Sequence, residues 1–277
     1  MSIKLAIITA TNQGQALDRL ALEAEKAGLH PERMIFKDEP PELQADAVYL
    51  RHTGLNYHDK DLIWAQGLSC LVHPDPVMMG KLRGKERQAE FFQKHQLPHP
   101  QTLGVKAALE SLSSLKEGAY IVKPERSLQG KGIVFVESKR SLKTLLEALI
   151  LWKDERFIVQ PYLDKKIEWR LLFTPERMTE PLVLKKRIDE QKDVRGNRSY
   201  HLGKLVPFAK CPLELQTLGL KAFQNSGLST AGIDLVQVDE RFVFLEINAT
   251  PGFQSFEELT GLNIARELLL PFTTLTP

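Results

Sequence analysis

Cysteine is nearly missing from this chain, with Cys70 and Cys211 the only two in 277 residues. They form no C-x-x-C pair and have no histidine at zinc spacing, which excludes a disulfide framework and a structural zinc site. A reducing cytoplasm is the expected compartment. No apolar run reaches the ~18 residues that a membrane-spanning helix needs, so no membrane partner is expected. The opening run Ile3–Ala10 is too short for a secretory core and reads as a first strand. Charge of one sign is lacking too: 37 Lys and Arg against 35 Asp and Glu leave +2. That balance excludes a dedicated nucleic-acid binder. No G-x-G-x-x-G follows the first strand, no G-x-x-x-x-G-K-[ST] opens a helix, and no Ser–His or Cys–His pair presents a nucleophile. With 43% hydrophobic and 26% charged residues, the composition is that of a soluble globular enzyme.

The organisation is α/β, passing to α+β in the C-terminal part. Over the first 75 residues strand and helix patterns alternate, which predicts a small parallel α/β domain. The strands fall at Lys4–Thr9, Ala47–Leu50 and Ser69–His73, and the helices at Ala16–Ala27 and Lys60–Gln66. The loop Thr11–Gln15 follows the first strand, where ligands often sit in such folds. One helix is predicted from Met79 to His95, with Leu97-Pro98-His99-Pro100 as connector. Beyond it, helices are expected over Ser111–Lys116, Leu142–Trp152 and Pro212–Asn225, the last stopped by Gly227. Strands are expected over Ala119–Lys123, Ile133–Glu137, Phe157–Gln160, Glu168–Phe173 and Pro181–Lys186. Domain boundaries are placed at 1–78, 79–100 (linking helix and connector) and 101–277, the last split near 163.

Two stretches carry chemistry. In Ala231–Phe253, the apolar runs Ile233–Val238 and Phe242–Ile247 flank Asp239-Glu240-Arg241, a hairpin signature. Glu246 and Asn248, two apart, share a face, and pairing around a turn near Glu240 brings Asp234 beside them. Two carboxylates and an amide oxygen suit a divalent cation that also holds phosphates. Structural alternatives stay open: Asp234 capping a turn, Glu246 pairing with a lysine, Asn248 starting the turn at Thr250-Pro251-Gly252. The second stretch is a loop between two strands, with Lys123 entering Pro124-Glu125-Arg126-Ser127-Leu128-Gln129-Gly130-Lys131-Gly132. It reads either as a phosphate-covering flap or as a plain surface hairpin.

Lys123 with Gln129-Gly130-Lys131-Gly132, then Val159–Tyr162, then Glu168-Trp169-Arg170, then Leu245–Phe253 come in an order that closely resembles the ATP-grasp superfamily, and within it the RimK-like amino-acid ligases. The resemblance covers roughly Lys81 to Leu270. It implies an ATP-grasp fold with an N-terminal pre-ATP-grasp parallel α/β domain, a flap subdomain over about 101–163 and a metal and catalytic subdomain over about 164–277.

It also implies a set of roles. Lys85 and Lys123 reach the nucleotide phosphates, with Lys81 as an alternative to Lys85. Ser127, Gln129, Gly130, Lys131 and Gly132 form the flap over them, although Ser127-Leu128 replaces the usual Gly-Thr pair. Gln160, Tyr162 and Leu163 fall on the adenine hinge, and Glu168 on the ribose. Asp234, Glu246 and Asn248 are the magnesium ligands, with two ions expected and manganese as a substitute. Arg170, Arg195 and Asn197 fall at the catalytic cleft.

The implied activity is an ATP- and Mg-dependent carboxylate–amine ligase working through an acyl phosphate. The implied co-substrates are a carboxylate and an amino acid such as glutamate, with an acidic peptide or protein tail among the acceptors. Assembly into a homo-oligomer is part of the same implication. The alternatives are an ATP-binding regulatory or scaffold protein without ligase activity, and a kinase that stops at phosphoryl transfer. The run Lys185-Lys186-Arg187 reads either as a solvated strand end or as a lure for an acidic substrate. Arg51-His52-Thr53-Gly54 is a substrate loop or a surface turn. His201, Trp152 and Trp169 are assigned to structure and packing, and Ser255 with Glu258 to a capping box.

Overall fold

Lys4–Thr9 forms strand β1, buried at every position after its first residue. In the computed structural model, which describes residues 3–9, 14–36, 40–51, 59–126, 132–154, 156–187 and 203–274, β1 lies inside a four-stranded parallel sheet. Its neighbours are β2 (His30–Ile35) and β3 (Ala47–Leu50), and β3 pairs with β4 (Leu71–His73). Helix α1 (Gln15–Lys26) returns the chain to β2, and α2 (Asp59–Gln66) precedes β4. The edge strand β2 was not anticipated. Its sequence H-P-E-R-M-I has no apolar run because no residue in it is fully buried.

The helix expected from Met79 to His95 is two helices, α3 (Pro76–Lys81) and α4 (Lys85–Lys94). The break falls at Gly84, whose φ of +83° suits glycine, and a Cβ there would lie 1.8 Å from Glu125 Oε1. Asp75 caps α3, its Oδ1 accepting from the N–H groups of Val77 at 2.7 Å and Met78 at 3.1 Å. Asp75→Ala is expected to cost about 1 kcal/mol, read as a lowered urea midpoint with an unchanged slope.

A second, antiparallel sheet runs β5 (Leu103–Gly104), β8 (Phe157–Pro161), β6 (Tyr120–Pro124), β7 (Val134–Val136). Helices α5 (Val105–Glu110) and α6 (Lys139–Leu151) back it with a core of their own, around Val122, Leu142, Leu146 and Val159. The helix expected over Ser111–Lys116 lies earlier, as α5. Ser111 Oγ donates to Ala107 O at 2.5 Å and Ser114 Oγ to Ser111 O at 2.8 Å, carbonyls that also accept backbone N–H groups, so the stretch after α5 continues as turns.

The third sheet, also antiparallel, runs β11 (Lys204–Val206), β10 (Leu182–Arg187), β9 (Ile167–Phe173), β12 (Ala231–Val238), β13 (Arg241–Asn248). Helix α7 (Leu213–Ser226) packs on one face, where Phe173 and Phe223 stack 4.1 Å apart. It ends at Gly227 in the left-handed region, as the sequence predicts. Trp169, Leu171, Ile233, Leu235, Phe244 and Ile247 join Ile8, Val48 and Leu50 of the parallel sheet in one core. On the opposite face Leu172 and Leu184 join Leu5, Ile7, Phe253 and Phe256, with helix α9 (Ile264–Thr273) alongside. The parallel sheet and the large antiparallel sheet therefore share both of their cores.

Two smaller expectations fail. Trp152 is 72% exposed, while Trp169 is buried as expected. Helix α8 (Gln254–Thr260) starts after Phe253 with no side-chain cap, so Ser255 sits inside it and forms no capping box. Both cysteines are free. Among the described residues no helix is long and apolar enough to cross a membrane.

Candidate active site

Strand alternation sets the site. In β6, Tyr120 and Val122 turn into the α5–α6 core, so Ile121 and Lys123 take the other face. Lys123 pairs with Ile158 and Ile121 with Gln160 and Phe135, which puts all five on that face. In β9, Trp169 and Leu171 turn into the core with α7, leaving Glu168 and Arg170 on the opposite face with Leu172. Leu172 is covered by the neighbouring core, whereas Glu168 and Arg170 are only half-buried.

Register brings the carboxylates to the same row. Asp234 pairs with Arg170 on one side and with Glu246 on the other. The alignment slips by one residue between Asp234 and Leu235, leaving Leu245 without an opposite number. That bulge is decisive. Phe242 and Phe244 are core residues, so strict alternation would send Glu246 into the core; the extra residue turns it to the cleft and puts Ile247 inward. Asn248 then shares the face of Glu246.

The electrostatics tie both sheets to one cleft. Arg170 grips Asp234 in a fork, Nε to Oδ1 at 2.6 Å and Nη2 to Oδ2 at 2.5 Å. Burial, then the neighbouring charge of Asp234, pushes the Glu246 carboxyl up, against the pull of Lys85, Arg170 and Lys123. Burial, together with Lys85 and Lys165, brings Lys123 down to about 7, with Glu246 acting the other way. Lys85 is also lowered by burial, opposed by Glu246 and Glu125, and its Nζ donates to Glu125 O at 3.2 Å. In each group burial works against the charged form, and a ligand of opposite sign would favour it.

Of the predicted site residues, the structure thus gathers Lys85, Lys123, Arg170, Asp234 and Glu246, with Glu168 and Asn248 on the same face. Lys81 is exposed, with its Nζ near Met78 Sδ. Gln160 is on the cleft face, but its Nε2 donates to Thr102 Oγ1 at 2.7 Å and braces β8. Tyr162 follows, 38% exposed, its ring edge-on to Phe135 at 5.0 Å. Leu163 is half-buried beside it. Gly132 has φ +77°, and a Cβ there would approach Pro124 Cγ to 2.8 Å, so the last flap position requires glycine. Ser127, Gln129, Gly130, Lys131, Arg195, Asn197, His201 and the loop after Arg51 lie outside the described residues.

Two cleft residues were not legible beforehand. Lys186, in the basic run, is 3% exposed and pairs across the sheet with Glu168, which itself accepts from Lys165 Nζ at 2.6 Å. Its neighbour Lys185 points to the other face, 4.8 Å over the Trp169 ring. The run is therefore not a solvated strand end: alternation splits it between two faces. Phe135 was hidden in an apolar strand whose cleft face only pairing reveals.

The donor chemistry fits a hard cation. Asp234 and Glu246 are cross-strand neighbours, Asn248 supplies an amide oxygen, and a divalent ion would offset both the burial and the Asp234 charge that raise Glu246. Among the described residues no group of three His, Cys, Asp or Glu side chains gathers for a metal, so the amide is needed as the third donor.

Residues 83–271 match the RimK-like ATP-grasp domain. A protein of Pasteurella multocida named "Probable alpha-L-glutamate ligase" is 24% identical over 74% of this chain and 64% of its own length. The chain thus spans just under two thirds of this curated relative. In three dimensions it is similar to the D-cycloserine synthetase DcsG, with TM-score 0.73, 14% identity and coverage of 98% and 99% of the two chains. A RiPP-associated ATP-grasp ligase of Chryseobacterium gregarium, solved with ADP and a leader and core peptide, gives 0.69 at 15% identity, covering 100% and 98%. At these identities the likeness is one of fold.

Proposed function

The chain belongs to the RimK-like ATP-grasp family, and from that premise we propose that it is an ATP- and magnesium-dependent carboxylate–amine ligase. It joins an amino acid such as glutamate to a small-molecule or peptide carboxylate through an acyl phosphate. One observation carries the reading: Lys85 and Lys123 from one side of a cleft act electrostatically on Glu246 from the other, itself opposite Asp234.

In that reading Lys85 and Lys123 fix the triphosphate, and contact with it restores the full charge of Lys123. Ile121, Phe135 and Tyr162 offer the base an apolar wall, with the backbone of 161–163 at its edge and Glu168 at the ribose. Bound by Asp234, Glu246 and Asn248, magnesium would neutralise charge on the phosphate oxygens as the γ-phosphoryl group leaves. Arg170 keeps Asp234 aimed. The acceptor carboxylate oxygen attacks the γ-phosphorus and ADP departs. An amine then displaces phosphate from the acyl carbon and loses its proton, giving the amide. Arg195 and Asn197 are assigned to the γ-phosphate and acceptor end of the cleft. The domain boundaries proposed with this reading are 1–78, 79–100 and 101–277.

The test is ADP release over a panel of amino acids and acidic peptides, with products weighed by mass spectrometry. ADP and phosphate are expected only when a carboxylate and an amine are both present, with an amide product. Turnover independent of both would refute the reading. A phosphorylated product formed without amine would make the chain a kinase, and binding without turnover a regulatory protein.

A further inference from the structure

Strand β13 is an edge strand among the described residues: β12 pairs with it on one side and none of their strands pairs on the other. Its outward N–H and C=O groups need partners, and a polar edge left open beside a core is costly. The linker between the parallel sheet and the flap sheet supplies them. Phe244 N–H donates to Pro98 O at 2.8 Å. Three residues on, past the bulge, Ile247 N–H donates to Gln88 Oε1 at 2.9 Å, and Gln88 Nε2 donates back to Ile247 O at 3.0 Å. The same Nε2 donates to Leu82 O at 2.8 Å, before the Gly84 break. Gln88 is 7% exposed, and both the nitrogen and the oxygen of its amide are bonded.

This arrangement makes a side-chain amide do the work of a neighbouring strand residue. It acts at Ile247, the residue between Glu246 and Asn248. We propose that Gln88 is a positioning residue of the active site: it holds β13 in its post-bulge register, so that Glu246 and Asn248 both face the cleft. It also fixes their distance from Lys85. Gln88 lies three residues after Lys85 on α4, and the backbone N–H of Lys85 is anchored to Glu125 O at 3.3 Å, at the end of the strand that carries Lys123. Helix α4 is then a bracket, bonded to the phosphate-lysine strand at its first residue and to the metal strand one turn later. Beyond the bulge β12 holds the register from one side, through Asp234, Ile233 and Gly232, and the amide holds it from the other; a one-residue slip would send Glu246 inward.

The inference rests on the reading of this face as a magnesium–nucleotide site. The variants are Gln88→Met, which keeps the length and removes all three bonds, and Gln88→Glu, which keeps the acceptor and removes the donor. Titrations of the full chain with ATP, by calorimetry, are run in EDTA and across magnesium concentrations. For Gln88→Met, metal-free ATP binding is expected within about threefold of the parent, while the magnesium concentration for half-maximal enhancement rises at least about tenfold, the scale seen when the partner that orients a metal ligand is lost. Gln88→Glu sets a carboxylate against two carbonyl oxygens, so it regains a donor only on protonation. Its magnesium requirement relative to the parent is expected to fall back as pH is lowered from about 8 to about 6.

A magnesium requirement within twofold of the parent in both variants would overturn the proposal. So would an equal loss of ATP binding with and without metal, which marks a purely structural residue. A ratio flat with pH for Gln88→Glu would overturn it as well, and that variant decides alone if Gln88→Met does not fold. Should the parent itself bind ATP with no response to magnesium, the site reading fails first, independently of Gln88.

Discussion

Glu246→Gln is expected to lose about a thousandfold in ATP turnover while the chain becomes no less stable. The two halves of that result have one cause. Burial and the charge of Asp234 raise the Glu246 carboxyl, so the folded parent holds a proton at pH values where the unfolded chain has released it. The parent therefore loses stability as pH rises above the ordinary carboxylate range of about 4.5. A neutral glutamine removes that loss, and at pH 7 the variant's urea midpoint should equal or exceed the parent's. The same neutrality strips a charged donor from the cation, and a thousandfold loss corresponds to about 4 kcal/mol in barrier. Turnover and urea unfolding are measured on one preparation. Retained turnover would show that Glu246 is not a metal ligand. A large drop in stability would show that the repulsion inferred for the cleft is absent.

Lys123→Met is expected to lower turnover by about a hundredfold to a thousandfold, the range for removing one fixed charge from developing phosphate charge. Its sharper signature is in protons. Lys123 sits at about 7 in the free chain, so at pH 8 it is largely neutral, and a bound triphosphate restores its charge. ATP binding without metal should then take up close to one proton at pH 8 and few at pH 6, and affinity should weaken as pH rises above 7. Calorimetry in buffers of differing ionisation enthalpy counts those protons. The count at pH 8 should disappear in Lys123→Met. Stability carries the matching sign: between about 7 and 10.5 the unfolded chain binds a proton that the folded chain does not, so the free parent gains stability as pH rises through that window. Equal proton uptake by parent and variant would remove Lys123 from the nucleotide site.

Much of this was written locally in the chain. Apolar runs and alternation are properties of consecutive residues, so β1, β3, β6, β9 and the β12–β13 hairpin were legible, as was the stop of α7 at Gly227. A turn near Glu240 was enough to bring Asp234 to the same end of the hairpin as Glu246 and Asn248, and the bulge set it opposite Glu246. Both lysines and the order of motifs were legible for the same reason, and residues 83–271 match the family those motifs pointed to.

What required the folded chain depends on contacts between residues far apart in sequence. The break at Gly84 is imposed by Glu125, forty-one positions away, and the helical periodicity runs straight through it. Lys186 counts as a cleft residue only through its register with Glu168, and the segment joining β9 to β10 is too long to set that register locally. The bulge at Leu245 is invisible in a run of apolar residues, yet it decides which way Glu246 points. The lock that Gln88 places on that bulge is a side-chain amide on a helix meeting the backbone of a strand 159 positions later. Sequence patterns report which face a residue prefers within its own element. Which element covers that face, and which edge is closed by what, follows from the packing of three sheets together.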